Sequence, residues 1–256
     1  MHKFFLAPEH CRGGVLTLPE REAHHATHVL RLGIGEKIIV LDGAGQTIEA
    51  EISEVSKKAL RAAVISRHHT PPRVCRVTLA QAIPKGKLMD AIVQKTVELG
   101  VSRIVPLLSE RVVRQFDDEG KAGKEERWTQ TAVEALKQCG SPWLPQVSRP
   151  LTLAEFLQET AKPEFALIGS LRPDARHPRR FFEEFVAKNG RPPATACLWI
   201  GPEGDFTAAE TEAAQRHGAF PVSLGSLVLR CETAAVSCLA NFNYEIQCWT
   251  EAQKGR

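Results

Sequence analysis

The sequence predicts an α/β chain in two parts, a small barrel of strands followed by a mostly parallel sheet covered by helices. Three observations carry this. Residues 35–42 are largely apolar and residues 47–55 alternate, and the Gly43-Ala44-Gly45 turn between them makes the pair read as a hairpin. Thr70-Pro71-Pro72 then breaks the chain, because a residue before proline avoids the helical region and two prolines make a stiff link. Beyond the break, strand-length apolar runs alternate with helical periodicity, the pattern of a parallel sheet covered on both faces. These features place one domain over residues 1–70 and a second over 73–256.

Each element has a local reason. Met1-His2-Lys3-Phe4-Phe5-Leu6-Ala7 is too short an apolar run for a signal peptide and reads as a first strand. One helix lies between Pro19 and Leu32, carrying His24, His25, His28 and Arg31, and residues 57–66 add a further strand. Strands with one helix close most naturally as a small barrel. In the second part, residues 74–82 form a strand. Residues 85–99 form a helix with Met89, Val93 and Val97 on one face, stopped by Gly100. A strand at 104–108, a helix at 124–139 and a helix capped by Thr152 follow, then strands at 165–169 and 194–200. Thr207-Ala208-Ala209-Glu210 is a capping box, residues 220–224 are a strand, and a last helix starts near Glu232.

Composition excludes more than it assigns. Of 256 residues, 43% are hydrophobic and 25% charged, which suits an ordinary globular chain. No apolar run reaches ~18 residues, so no membrane span and a cytoplasmic location are expected. Seven cysteines form no C-x-x-C pair, which argues against a zinc site and a disulfide framework. His24 and His25 are adjacent on a helix, point in different directions and have no completing carboxylate or thiol, so no metal is expected. The net charge of +3 permits a polyanionic partner without requiring one. Basic clusters at residues 67–69, Arg73 with Arg76, Lys85 with Lys87, and 172–180 make such a partner plausible. No G-x-G-x-x-G follows a first strand, and no Walker loop, G-x-S-x-G elbow or H-E-x-x-H is present.

The candidate site lies in the last quarter. The apolar strand 194–200 runs into Gly201-Pro202-Glu203-Gly204-Asp205, and Ser223-Leu224-Gly225-Ser226-Leu227-Val228-Leu229-Arg230-Cys231-Glu232-Thr233-Ala234 follows later. Glycines at strand exits let backbone approach a flat ligand closely. Either loop alone reads equally well as an ordinary strand-to-helix turn, and the two together point to a site. Arg230 and Glu232 stand at the start of the final helix. An apolar pocket closed by loops, with one fixed ion pair, suits a nucleotide-like cofactor better than a metal.

The ordered set of motifs resembles the RsmE family of SPOUT RNA methyltransferases, which methylate N3 of a uridine in 16S ribosomal RNA. The resemblance covers essentially the whole chain. It runs through His24-His25 with Val29-Leu30-Arg31-Leu32, Asp42-Gly43 with Ala50-Glu51-Ile52, and Gln81-Ala82-Ile83-Pro84-Lys85-Gly86. It continues with Gln94-Lys95, Glu98-Leu99-Gly100, Pro106-Leu107, Ser109-Glu110-Arg111 and Trp128, and closes with Gly201-Pro202-Glu203-Gly204, Leu229-Arg230 and Glu232-Thr233-Ala234. It implies an N-terminal PUA-like β-barrel that helps bind RNA and a C-terminal α/β domain with a trefoil knot. It also implies S-adenosylmethionine held in bent shape by knot loops, and a homodimer that builds the active site. The cofactor loops would be Ile168-Gly169, Ile200 with Gly201-Pro202-Glu203-Gly204, and residues 224–234, with Leu224, Gly225, Leu229, Arg230, Thr233 and Ala234 as contacts.

From the same resemblance, His25, Arg31, Lys85, Lys87, Lys95 and Arg111 are candidate RNA contacts, and the partner is 16S rRNA, naked or in the assembled small subunit. Arg230 and Glu232 are the candidate catalytic residues, the arginine stabilising charge on uracil and the glutamate orienting it or taking the proton. Departures from the family pattern are Asp205 for a glycine, Leu227 for an arginine, Cys231 for a threonine, Ser141 for an arginine, and Lys3 for an early arginine. Two other readings stand beside this one: a SPOUT enzyme methylating ribose 2′-O of another RNA, and a non-catalytic RNA-binding protein.

Overall fold

A computed structural model describes residues 1–56, 59–111 and 117–254. The chain divides into two units, Met1–Pro72 with Val133–Leu144, and Arg73–Ala132 with Pro145–Arg256. The division by sequence alone had no returning segment.

In the first unit, β1 (His2–Phe5), β2 (Val15–Leu18), β3 (Lys37–Leu41), β4 (Gln46–Val55) and β5 (Leu60–His69) form one sheet in the order β1-β3-β4-β5-β2. Only β1–β3 is parallel. Period-two alternation puts Ile38 and Val40, Ile48, Ala50 and Ile52, and Leu60 and Ala62 on one buried face with Phe4, Leu16 and Leu18. Register shifts between Glu49 and Ala50 and between Ile52 and Glu54 bend the long β4–β5 ribbon around that core. The β3–β4 turn is held by buried Asp42, whose Oδ1 accepts from the amides of Ala44 at 2.7 Å and Gln46 at 2.8 Å.

The helix expected from 19 to 32 is shorter. It is α1 (Glu20–His24), continued by a wider turn over His25–Val29 in which Leu30 N–H donates to the His25 carbonyl at 3.0 Å. The strand expected at 57–66 is β5; Lys57 and Lys58 lie outside the described residues. β2 had no expectation, being only four residues long. Two departures from the family pattern serve local structure in this unit. Lys3 Nζ donates to the Gln138 carbonyl at 3.1 Å, and the Ser141 hydroxyl closes a turn with the backbone of Trp143.

The second unit holds β6 (Arg76–Ala82), α2 (Leu88–Glu98), β7 (Arg103–Leu108), α3 (Asp118–Cys139), the short β8 (Gln146–Val147) and β9 (Leu151–Thr152), and α4 (Leu153–Glu159). It continues with β10 (Phe165–Gly169), α5 (Pro178–Asn189), β11 (Thr195–Ile200), α6 (Ala208–Arg216), β12 (Ala219–Val222) and α7 (Cys231–Lys254). The end of α3, from Val133, is counted in the first unit. Every strand pair is parallel, in the order β12-β10-β11-β6-β7-β8 with β9 also on β7. Fully buried strands explain the near-continuous apolar runs.

The capping box expected at Thr207 with Glu210 forms on α6, and the cap expected at Thr152 on α4 is a capping box too, with Glu155. Glu210 does more. Its Oε1 accepts from Glu110 N–H at 2.9 Å, which ties the β7 exit to α6. α2 buries Met89, Ile92, Val93, Thr96 and Val97 and ends at Gly100, whose φ of +76° excludes most side chains. Asn243 on α7 donates to the Leu99 carbonyl at that end, at 2.6 Å.

Candidate functional site

β10, β11 and β12 are adjacent and parallel, so their carboxyl ends bring three loops to one edge of the sheet. This is where open α/β sheets bind ligands. Between these loops is a cavity of about 510 Å³. Gly169, Ile200, Gly201, Pro202, Glu203, Leu224, Gly225, Leu229, Arg230 and Ala234, all expected from sequence, line it. Ile168 does not, because alternation along β10 turns its side chain into the core, where it is 1% exposed. Gly204 and Thr233 are also outside the lining.

The cavity also includes Ser170, Leu171 and Arg172, which sequence reasoning passed over, and Asp205, Leu227, Val228 and Cys231, which belong to the expected loops but were not named as contacts. Leu171, Leu227 and Val228 leave 65%, 76% and 76% of their surface exposed, an apolar rim without internal cover. Sequence offered one signal for them, a strand exit carrying apolar residues where polar turn residues are usual.

The loops are shaped by backbone. A Cβ on Gly201 would lie 2.9 Å from Asp205 Oδ1 and 3.2 Å from the Phe206 nitrogen, so any side chain there would have to displace the Asp205 carboxylate and press on the Phe206 backbone. Gly225 has open space around it and a φ of +136°, so conformation alone demands glycine.

The cavity's charge is set by acids. Glu203 and Asp205 line it, and Arg172 is neutralised by a bidentate pair with Asp174 at 2.9 Å. Burial pushes the Cys231 thiol up to about 11, helped by the nearby carboxylates of Glu203, Glu232 and Asp205. Arg230 has no ion pair among the described residues. An apolar slot with backbone amides and an acidic wall suits a flat heterocycle joined to a cationic group.

The expected Arg230–Glu232 ion pair is absent. The Arg230 carbonyl accepts the first bond of α7, from Ala234 N–H at 2.8 Å, which makes Arg230 the cap and Glu232 a residue of the first turn. Residues two apart on a helix do not face each other. Arg230, Cys231 and Ala234 therefore face the cavity while Glu232 does not. Glu232 Oε2 is instead buried without a hydrogen-bond partner.

A second cavity, also about 510 Å³, shares Pro202 and Glu203 with the first. Lys85, Lys87, Arg111, Lys124 and Arg127 line it over an apolar floor that includes Met89 and Trp128, with Asp90 and Glu203 as its acids. Arg127 pairs with Asp90, Arg111 donates to the Gly204 carbonyl, and Lys85 N–H donates to Glu203 Oε1 at 2.9 Å. Three expected RNA contacts, Lys85, Lys87 and Arg111, are thus brought to one place. Lys95 is exposed on α2 but not part of that lining. His25 and Arg31 are exposed in the first unit, Arg31 with a left-handed φ of 58°.

The basic run 172–180 is largely compensated: Arg172, Arg176 and Arg179 pair with Asp174, Glu184 and Glu183. No group of three metal-ligating side chains occurs among the described residues, and no helix among them is long and apolar enough to cross a membrane.

Known proteins match nearly the whole of this chain. Residues 71–243 match the RNA methyltransferase domain family, and residues 18–65 match the RNA methyltransferase PUA domain. A ribosomal RNA small subunit methyltransferase E of Synechocystis is 34% identical over 94% of this chain and 77% of its own length. That of Bacillus subtilis is 28% identical over 88% of each. A Legionella pneumophila protein solved in complex with the bound cofactor SAM superposes with a TM-score of 0.83 at 32% identity, covering 94% of this chain and 96% of that one. The ribosomal RNA small subunit methyltransferase E of Neisseria gonorrhoeae, solved bound to S-adenosyl methionine, gives 0.81 at 28% identity over 95% and 97%. With a family model over most of its length and a relative above 30% identity along nearly all of it, the chain belongs to the ribosomal RNA small subunit methyltransferase E family of RNA methyltransferases.

Proposed function

We propose that this chain methylates N3 of a uridine in 16S rRNA of the small ribosomal subunit, with S-adenosylmethionine as cofactor. The observation that carries the reading is the meeting of an acidic-walled apolar cavity and a basic cavity at Pro202 and Glu203. The first fits the cofactor: Ile200, Leu224, Leu229 and Ala234 with their glycine neighbours offer an apolar slot for adenine, and Glu203 and Asp205 offer charge for a cation. The second fits RNA, with Lys85, Lys87 and Arg111 on phosphates and His25 and Arg31 as further contacts from the first unit.

When bound, S-adenosylmethionine supplies a methyl group on a cationic sulfur, already an electrophile. The chain's task is the uracil. Its N3 proton is an imide proton, and as it departs negative charge spreads over two carbonyl oxygens. The Arg230 guanidinium, bordering the cofactor cavity with no ion pair of its own, stabilises that charge as it develops. Glu232 does not orient Arg230. With Glu232 outside the cavity lining and one of its oxygens buried without a hydrogen-bond partner, Arg230 carries the charge stabilisation alone in this reading.

The active species in this reading is a homodimer acting on the assembled subunit. On α7, Leu239 is fully buried in its own core, so Val236, Ala240 and Ile246 with exposed Tyr244 are the positions this reading gives to the partner. Light scattering at low micromolar concentration is expected to show twice 28.2 kDa; a monomer with full cofactor affinity removes the dimer. Nucleoside mass spectrometry of rRNA from a deletion strain tests the reaction. Loss of N3-methyluridine, restored by the cloned gene, is the expected result. Loss of a ribose-methylated nucleoside instead, or of none, refutes it.

A further inference from the structure

Asp205 is a non-glycine residue with a left-handed backbone, φ 60°, in the wall of the cofactor cavity. L-residues disfavour this region, and aspartate tolerates it by bonding local backbone; here Oδ1 accepts from Phe206 N–H at 2.8 Å. The same oxygen closes over Gly201, where a Cβ would meet it at 2.9 Å. This packing fixes the carboxylate against the loop that forms the cavity wall. Glycine would serve the backbone there without strain, so the side chain adds the bond from Phe206 N–H and a charge, and asparagine would keep the first without the second.

Resting on the cofactor reading above, we infer that Asp205 is a charge-specificity residue of that cavity, favouring a cationic sulfonium over a neutral thioether. The chemistry is direct. When the methyl group leaves, the S–CH₃ bond breaks and its electron pair stays on sulfur, so S-adenosylhomocysteine keeps every group of the cofactor except the methyl and the positive charge. Attraction between that charge and a fixed carboxylate ends with the transfer, which weakens product binding relative to the cofactor. Glu203 and Glu232 add to the field, and Arg230 opposes it, so Asp205 tunes the balance.

The test is calorimetric binding of S-adenosylmethionine and S-adenosylhomocysteine to the full chain, to Asp205→Asn and to Asp205→Gly. Asparagine keeps the volume and tolerates the left-handed backbone; glycine removes the strain as well. Both variants are expected to weaken S-adenosylmethionine about three- to tenfold, with S-adenosylhomocysteine changed less than about twofold, the range for one partly solvated charge pair. An analogue with an ammonium in place of the sulfonium should follow S-adenosylmethionine. A folded variant that keeps the native ratio of affinities overturns the inference and leaves the cofactor reading standing. Failure of both ligands to bind the native protein overturns the cofactor reading itself.

Discussion

Replacing Lys85 and Lys87 together by alanine tests the basic cavity through its salt dependence. Both lysines are exposed, line the cavity and make no ion pair among the described residues, so both are available to phosphates. Each phosphate contact on single-stranded RNA contributes a slope of about 0.7 in log affinity against log salt. Between 50 and 200 mM salt, one contact is therefore worth about 2.6-fold and two about sevenfold. The double variant should show a slope lower by about 1.4, losing about sevenfold less affinity than the native protein over that range. Arg127→Ala is the internal control. Its guanidinium is held by Asp90 and not by a phosphate in this reading, so its removal should change the slope by less than the value of one contact, about 0.7. Fluorescence anisotropy with a labelled 16S fragment, or sedimentation with small subunits lacking the modification, measures both quantities. An unchanged slope in the double variant, or a slope that falls as far in Arg127→Ala, would refute the assignment of this cavity to RNA.

Arg230→Ala should lower turnover on small subunits by about 10²- to 10³-fold, the range for one donor to a developing oxyanion, while the protein still folds and binds cofactor; near-native turnover removes Arg230 from the mechanism. Gly201→Val pushes against Asp205 and the Phe206 backbone, and calorimetry should find cofactor binding abolished. Gly225→Ala meets nothing and should cost only the strain of its positive φ, about 1–3 kcal/mol in thermal unfolding. At the start of β10, Arg191 and then the Ala194 amide hold the Glu164 carboxyl down at about 2, against 4.5 ordinarily. Stability from this pair is present above pH 4.5 and is lost as pH falls towards 2. The Tm gap between native protein and Glu164→Gln should therefore be open at pH 6 and narrow steadily below 4.5, and a gap that is constant with pH counts against the pair.

Local physics was readable along the chain. The cap at Thr152, the capping box at Thr207, the glycine stop at Gly100, the hairpin around Gly43 and the five residues of β10 follow from contacts within a few positions, so their side chains declare them. The Gly201 and Gly225 loops were marked only as a pair, because a glycine-rich strand exit by itself is equally an ordinary turn. What the neighbours decided was not readable. Parallel pairing places β11 between β10 and β6, and no local pattern encodes strand order. That order alone brings residues 169, 201 and 225 around one cavity. Lys85 and Arg111 meet Trp128 because three separate segments converge, whereas the equally basic run at 172–180 is spent on its own carboxylates. The Arg230–Glu232 pair, suggested by the two residues' places at the start of one helix, does not form, since the cap and the second residue of the first turn face different ways. Motif and backbone chemistry act over a few residues and are written in the sequence. Which charges stay available for a ligand depends on partners brought in from far along the chain, and that is settled only when the sheet assembles.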